Sequence, residues 1–227
     1  MFRFNGLSTF LATCWLLTQF VSGSPQAAGQ SPAKPANQTG PQPDTAAAER
    51  QLQAAIFAGG CFWCVESAFD KVEGVVETIS GYTGGKTQNP TYDAVSQGRT
   101  GHYEAVRIVY DPQQTNYEKL LYVFWRNIDP FNARGQFCDS GSQYRAAIFV
   151  DSDEQRQQAE ASIRDLAKYT KRKIVTQILP AAEFYPAEAY HQDYHIKHPI
   201  KYRYYRSSCG RDQRLIAIWG AQAGARH

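Results

Sequence analysis

The stretch AAIFAGGCFWC, residues 54–64, decides how the chain folds around it. Its first half, Ala54–Ala58, is a short apolar run that predicts a buried β-strand, and the two glycines that follow predict a tight turn. A helix is then expected from Phe62 to about Val72, with Cys61 at its exposed amino end. Because unsatisfied N–H groups and the helix dipole stabilise a thiolate at such an end, Cys61 is a candidate nucleophile.

Periodicity and capping signals predict the other elements. Further strands are expected at 75–82, 103–110, 144–150 and 174–179. Helices are expected from a capping box of Thr115 and Glu118 to Ile128, from Ser152 to Tyr169, from Pro186 to Pro199, and from Arg211 to Trp219. This order predicts an α+β fold, with a ferredoxin-like mixed sheet covered by helices and a long irregular C-terminal segment.

The amino-terminal part of the chain differs in composition from the rest. Residues 1–23 combine a basic residue, Arg3, with the apolar run Leu7–Val21 and predict a secretory signal peptide, with an uncleaved membrane tether as the alternative. Residues 24–50 are rich in Pro, Ala and Gln and hold no large apolar side chain, so a disordered linker is expected. The sequence thus predicts an exported protein, periplasmic or secreted, with one folded domain at 51–227.

Composition restricts the class of function. Hydrophobic residues make up 43% of the chain and charged residues 20%, a balance typical of globular proteins. The formal net charge of +3 gives no electrostatic case for a nucleic-acid partner. The basic stretch Lys197–His227 is expected to be a solvated tail. The protein is expected to be a monomer.

Four cysteines follow the predicted signal peptide: Cys61, Cys64, Cys138 and Cys209. In an oxidising compartment cysteines pair or carry out redox chemistry, and four of them allow three pairings or a four-thiolate zinc site. Cys64 lies one helical turn after Cys61, near enough for a disulfide, whereas no second C-x-x-C is present to complete a zinc site. A structural cysteine pair and a zinc-bound interaction module are therefore the weaker interpretations.

The C-x-x-C pattern also fits a thioredoxin-like disulfide oxidoreductase. The two residues between the cysteines, Phe62 and Trp63, argue against that function. They form an apolar, aromatic wall, which suits a bound methyl group better than a protein disulfide.

Around these residues, the block Gly60–Glu66 resembles the active-site signature of the A-type peptide methionine sulfoxide reductases. Further blocks resemble that family in the family's own order: Gly81–Gly85, Asn89–Tyr92, Gly101–Val106, Asp139–Arg145 and Phe184–Glu188. The resemblance covers about Ile56 to Gly220. It implies reduction of methionine S-sulfoxide, protein-bound or free, without a metal or bound organic cofactor and with electrons from a thioredoxin-like donor.

Reducing a sulfoxide requires a nucleophile, a proton for the oxygen and a dry pocket. Strand alternation places Glu104 on the same apolar face as Val106, where desolvation would raise the pKa of its carboxyl group and let it donate a proton. The residues alone leave open a surface glutamate or one paired with Arg145. The resemblance implies that Glu104 is the acid.

The resemblance also implies roles that residue types alone do not reveal. Tyr92 and Tyr144 match the pair of hydroxyl groups that holds and polarises the sulfoxide oxygen. Phe62 and Trp63 match the wall around the methyl group, and Asp139 matches a residue that hydrogen-bonds the substrate backbone.

A second thiol must condense with the sulfenic acid that the reaction leaves on Cys61. The resemblance implies a carboxy-terminal resolving cysteine, which points to Cys209, yet the chain has Cys64 where the family usually has glycine. Cys64 and Cys209 are therefore both candidates, and Cys209 or Cys138 could relay oxidation outward.

Three histidines fall at helical spacing inside the predicted helix from Pro186 to Pro199. His191, His195 and His198 could ligate a metal from one helix face. Neighbouring tyrosines favour a packed helix with polar tips instead, and no metal site is predicted.

Overall fold

The structure, a computed structural model, describes residues 51–225. The predicted signal peptide, residues 1–23, and the predicted linker, residues 24–50, lie outside the described residues. Within 51–225, no helix combines the length and the apolar character needed to cross a lipid bilayer.

The described part of the chain contains eight strands and seven α-helices. The strands are β1 (Gln53–Gly59), β2 (Val75–Thr83), β3 (Tyr103–Tyr110), β4 (Gly135–Gln136), β5 (Asp139–Ser140), β6 (Ala146–Val150), β7 (Gln177–Pro180) and β8 (Phe184–Pro186). The helices are α1 (Phe62–Phe69), α2 (Tyr92–Ser96), α3 (Tyr117–Arg126), α4 (Asp153–Thr170), α5 (Tyr194–Lys197), α6 (Pro199–Ser208) and α7 (Arg211–Trp219).

Six strands form one mixed sheet in the order β7-β6-β1-β3-β2-β8, while β4 and β5 pair separately. β1 lies antiparallel between β3 and β6, β2 is antiparallel to β3 and β8, and β7 is parallel to β6. The central order β6-β1-β3-β2, joined through α1 and α3, is the ferredoxin-like β-α-β-β-α-β arrangement that the sequence predicts. The predicted α+β fold is confirmed.

The strand β1 supplies side chains to both faces of the sheet, because successive strand residues point to opposite sides. On one face, the ring of Phe57 packs 4.9 Å from that of Phe124 in α3 and 5.5 Å from that of Phe69 in α1. On the other face, Ala58 is buried with Phe149 of β6. Burying a side chain such as Phe57 contributes about 1.5–3 kcal/mol, so the strand that leads to Cys61 is firmly held.

Several predicted boundaries agree with the structure. β3 and α7 begin and end at the predicted residues, and the Ser152 hydroxyl caps α4 by accepting from Gln155 N at 3.2 Å. α1 ends at Phe69, short of the predicted Val72. Its last turn tightens there, since Val72 N donates to Phe69 O at 2.9 Å.

The predicted capping box of α3 is wrong. The cap is Asn116, whose side-chain oxygen accepts from Lys119 N at 2.8 Å, one residue after the predicted Thr115. Asparagine is the stronger amino-terminal cap of the two residue types, which accounts for the shift by one position.

Two strands begin later than predicted. Ser142–Tyr144 forms a turn of 3-10 helix, held by the Gln143 side chain, which donates to Ser96 O at 2.7 Å. β6 therefore begins at Ala146 rather than at Tyr144. β7 begins at Gln177 rather than at residue 174, because the chain before it bonds to the loop after α3 instead of to the sheet.

The predicted helix from Pro186 to Pro199 is wrong. Pro186 ends β8, and residues 187–193 are irregular. The side chain of Gln192 accepts from Ser80 N and donates to Ser80 O, both at 2.9 Å, so this segment is held by β2 instead of by helical bonds. Pro199 instead opens α6, where the missing N–H of proline has no cost.

Candidate active site

The turn between β1 and α1 requires glycine at residue 60. Gly60 has a φ of +83°, and a Cβ atom there would lie 2.6 Å from Cβ of Gln136. Gln136 is fully buried and exchanges two hydrogen bonds of 2.8 Å with the backbone of Asp129, so it cannot easily move away. The turn therefore places Cys61 at the amino-terminal cap of α1 against a fixed neighbour.

A small pocket of about 60 Å³ opens beside this cysteine. It is lined by Cys61, Phe62, Trp63, Tyr92, Glu104, Asp139, Tyr144 and Tyr205. Seven of these residues are the predicted catalytic and substrate-binding residues, brought together from five separate parts of the chain. Larger grooves, such as the one between α3 and α4, contain no cysteine.

Glu104 is buried in β3, with 2% of its surface exposed. Its Oε2 accepts a hydrogen bond of 3.0 Å from Phe62 N, the first amide of α1. Burial outweighs this bond and raises the pKa of the carboxyl group to about 8, so it is protonated at neutral pH. The predicted rise in pKa is confirmed, and Arg145 instead stacks its guanidinium 4.9 Å above the ring of Tyr103.

Two tyrosines complete the polar lining of the pocket. Tyr92 opens α2, where its backbone N–H donates to Glu188 Oε1 at 2.9 Å. Burial raises the pKa of Tyr92 to about 12 and also raises the pKa of Tyr144. Both hydroxyl groups are therefore neutral donors that face Glu104 across the pocket. Neither residue lies in a β-strand.

The aromatic wall of the pocket is held from behind. The indole of Trp63 stacks on the ring of Tyr194 at 3.8 Å, and its Nε1 donates to Nδ1 of His191 at 3.0 Å. The ring of Phe62 packs 5.0 Å from that of His191 and 5.8 Å from that of Tyr82. These contacts fix both rings before any substrate binds.

Tyr205 is a lining residue that the sequence reasoning missed. Its hydroxyl donates to Asp139 Oδ2 at 2.5 Å, and its ring meets Trp63 edge-on at 5.7 Å. Tyr205 is one of 14 tyrosines, and only its position four residues before Cys209 could have drawn attention to it. Burial raises the pKa of Asp139, and the bond from Tyr205 opposes that shift.

The four cysteines fall into two pairs. Cys138 and Cys209 form a disulfide with their Cα atoms 4.9 Å apart, which joins the β4–β5 hairpin to the end of α6. Cys61 and Cys64 are buried free thiols. The disulfide leaves only two thiols among these four residues, so the four-thiolate zinc site does not form here.

Cys61 and Cys64 are linked by a hydrogen bond and titrate differently. Burial raises the pKa of Cys61 well above its usual value, and the bond to Cys64 adds to this shift. The pKa of Cys64 is lowered to about 6 by the hydrogen bond from Cys61 and by the positive charges of Arg211 and Arg206, against the effect of burial. These effects favour ionisation of Cys64 over ionisation of Cys61.

Contrary to the prediction from the sequence, the helix end does not serve Cys61 through its first amide. The first amide of α1, on Phe62, is bonded to Glu104 and is not available to a thiolate. The side chain of Cys61 makes no capping hydrogen bond to its helix.

Comparison with known proteins identifies the family. A family model described as "Peptide methionine sulfoxide reductase" matches residues 53–223. The chain is 51% identical over 176 residues to "Peptide methionine sulfoxide reductase MsrA" of Bacillus licheniformis, which covers 77% of this chain and 96% of that protein. It is 50% identical over 176 residues to "Peptide methionine sulfoxide reductase MsrA 2" of Caulobacter vibrioides, with 77% and 89% covered. The chain belongs to the A-type peptide methionine sulfoxide reductases.

Solved structures agree with this assignment. The reductase is similar to "Methionine sulfoxide reductase A of Corynebacterium diphtheriae", with a TM-score of 0.60, 35% identity and coverage of 66% of this chain and 76% of that chain. It is also similar to reduced Mxr1 from Saccharomyces cerevisiae, with a TM-score of 0.63, 30% identity and coverage of 66% and 87%. The family expected from the sequence motifs is confirmed, and with it the reduction of methionine sulfoxide.

The three histidines at helical spacing in the sequence do not form a common ligand set. His191 accepts from Trp63 behind the pocket, and His195 Nε2 lies 3.3 Å from Asp70 Oδ2. The ring of His198 packs 4.7 Å from that of Tyr194. The predicted single helix is absent, which is why the three rings serve separate contacts.

Replacing Glu104 by glutamine tests the protonated carboxyl group through stability. The carboxyl ionises near pH 4.5 when unfolded and near 8 when folded, so only the folded state holds this proton between those values. The free energy of unfolding of the wild type is therefore expected to fall, relative to that of E104Q, as pH rises through this window.

Urea unfolding at several pH values measures this difference. The exposed Glu77→Gln variant is the control and should track the wild type. A difference between wild type and E104Q that stays constant from about pH 4.5 to about 8 contradicts a raised pKa.

Proposed function

We propose that the reductase uses Cys61 as nucleophile and Glu104 as general acid. The observation that carries the proposal is that a thiol, a carboxyl group kept neutral by burial and an aromatic wall line one pocket. The sulfur of Cys61 attacks the sulfoxide sulfur, its proton passes to the Cys64 thiolate, and Glu104 protonates the oxygen. The oxygen then leaves the substrate as the hydroxyl of a Cys61 sulfenic acid, so the substrate sulfur is reduced and the cysteine sulfur is oxidised.

The other lining residues place the sulfoxide for this step. The neutral hydroxyl groups of Tyr92 and Tyr144 hydrogen-bond the oxygen as it gains negative charge. Phe62 and Trp63 surround the methyl group, which loses hydration on binding. Asp139, oriented by the bond from Tyr205, accepts from the backbone of the substrate.

We propose Cys64 as the resolving thiol, since it is free and hydrogen-bonded to Cys61 while Cys209 is engaged with Cys138. Its sulfur attacks the sulfenic acid of Cys61, and the hydroxyl leaves as water with the proton of Cys64. Cys138 and Cys209, once reduced, pass oxidation outward by disulfide exchange. This assignment favours Cys64 over the carboxy-terminal cysteine that the family resemblance implies.

Substrate and donor follow the family to which the chain belongs. We propose methionine S-sulfoxide, free or within proteins, as the substrate and a thioredoxin-like protein as the reductant. The steps above need no metal or organic cofactor, because side chains supply the nucleophile, the acid and the second thiol.

Two substitutions test the chemistry. Cys61→Ser is expected to abolish methionine formation, because the nucleophile is lost. Glu104→Gln is expected to lower kcat by about 100-fold or more, as for loss of a general acid. The assay follows methionine formed from the separate S- and R-epimers with dithiothreitol.

In this assay the wild type should act on the S-epimer. Insulin-disulfide reduction, run in parallel, is the test for the rival disulfide oxidoreductase. Activity that survives in Cys61→Ser, or insulin reduction without sulfoxide turnover, contradicts the proposal.

A comparison of Cys64→Ser with Cys209→Ser tests the resolving thiol. Cys64→Ser should release methionine more slowly than the wild type, because the acceptor of the Cys61 proton is lost. After that single turnover it should keep a sulfenic acid on Cys61, which a dimedone probe labels. Cys209→Ser should still form the disulfide between Cys61 and Cys64. A sulfenic acid that persists in Cys209→Ser, or a disulfide between Cys61 and Cys209 in the wild type, would instead assign the role to Cys209.

A further inference from the structure

A buried arginine lies directly behind the cysteine turn. Arg211 opens α7 and is 2% exposed. Its Nη2 donates to Gly59 O at 3.2 Å and to Asn127 O at 2.8 Å, and its guanidinium lies 4.2 Å from the ring centre of Phe137. A Cβ at Gly60 would be 3.8 Å from its Nη1, so the charge sits against the turn that carries Cys61.

This guanidinium has no carboxylate of its own. Its neighbours in sequence are paired: Arg206 with Asp212 at 2.5 Å, and Arg214 with Asp129 at 2.7 Å. Among residues 51–225, by contrast, no carboxylate oxygen lies within 4.0 Å of the guanidinium of Arg211. Its Nε is buried without a hydrogen-bond partner. Because arginine stays protonated, and an unpaired buried charge is costly, the surroundings of Arg211 strongly favour a nearby anion.

The groups around the cysteine pair show which anion this is. Glu104 and Asp139, from β3 and β5, raise the pKa of Cys61, whose sulfur also bonds to the Tyr205 hydroxyl. Cys64 also interacts unfavourably with the carboxyl group of Glu104, but favourable groups act on it from two other elements. From α6 come the Tyr202 hydroxyl and Arg206, and from α7 comes Arg211.

Of the two cations that face Cys64, Arg206 is already neutralised by Asp212, through contacts of 2.5, 3.0 and 3.2 Å. Arg211 is therefore the positive charge left to balance a thiolate. Its attraction also acts on Asp139, but burial dominates there and the pKa of that carboxyl group is raised.

We propose that Arg211 is a positioning residue, whose buried and carboxylate-free guanidinium keeps one negative charge on the Cys61–Cys64 pair. The inference rests on the proposed function, in which the Cys64 thiolate takes the proton of Cys61 during attack. It accounts for how a buried cysteine pair beside an acid-lined pocket carries a negative charge. Arg211 touches neither the pocket nor the substrate and acts through the sulfur of Cys64.

Neutral and charged replacements in the full-length protein separate charge from packing. Arg211→Gln keeps a donor for the two carbonyl groups but removes the charge, Arg211→Lys keeps the charge, and Arg214→Gln removes a paired arginine from the same helix. Methionine formed in a single turnover is measured against pH for each variant. In Arg211→Gln the acid limb of this profile should move up by about one to two pH units, toward the alkaline limb that ionisation of Glu104 sets near pH 8.

Two variants serve as controls for this experiment. Arg211→Lys and Arg214→Gln should keep the wild-type limb. An unmoved limb in Arg211→Gln, or a rate lowered equally at every pH, would show a structural role and overturn the inference. A wild type that forms no methionine would instead overturn the proposed function.

A second measurement needs no turnover. In a Cys14→Ser, Cys61→Ser background, Cys64 is the one remaining thiol outside the disulfide. The pKa of Cys64 is read from the ultraviolet absorbance of its thiolate. With Arg211→Gln this pKa should be about one to two pH units higher than without it. Coincident titration curves in the two proteins would overturn the inference.

Discussion

The site depends on one hydrogen bond, from Phe62 N to Glu104 Oε2 at 3.0 Å. It ties the first residue of α1 to β3, and it uses an amide that has no partner within its own helix. The bond fixes the carboxyl group in the pocket beside Cys61 without neutralising the effect of burial, so the acid keeps its proton. This one contact sets the position of the acid relative to the nucleophile. It also commits the first amide of α1 to the acid and not to the cysteine.

Because Glu104 binds the first amide of α1, negative charge on the cysteine pair must be stabilised by other elements. The C-terminal helices supply what α1 does not: Arg211 from α7, and from α6 the hydroxyl groups of Tyr202 and Tyr205. The same helices complete the pocket, since Tyr205 bonds Asp139 at 2.5 Å, and the disulfide between Cys138 and Cys209 fastens them to the β4–β5 hairpin. The pocket is thus completed by a segment that lies outside the ferredoxin-like core.

Local signals were sufficient where local forces decide the structure. The alternation of β3 revealed both its bounds and the buried position of Glu104, and the two glycines before Cys61 revealed the turn. Motif resemblance then named seven of the eight lining residues. The segment after Pro186 was mispredicted because Gln192 binds β2 across the fold, a contact with no local signature. The use of the first amide of α1 was missed for the same reason, since Glu104, which accepts from it, is 42 residues distant in sequence.

Infrared difference spectroscopy between the wild type and Glu104→Gln gives the most direct test of a neutral acid beside Cys61. The spectrum at neutral pH should contain the C=O band of a protonated carboxylic acid, and this band should give way to carboxylate bands as pH rises through about 8. Carboxylate bands for Glu104 that grow in around its ordinary pKa of 4.5 and are complete before neutral pH would contradict a pocket that holds the proton for the sulfoxide oxygen.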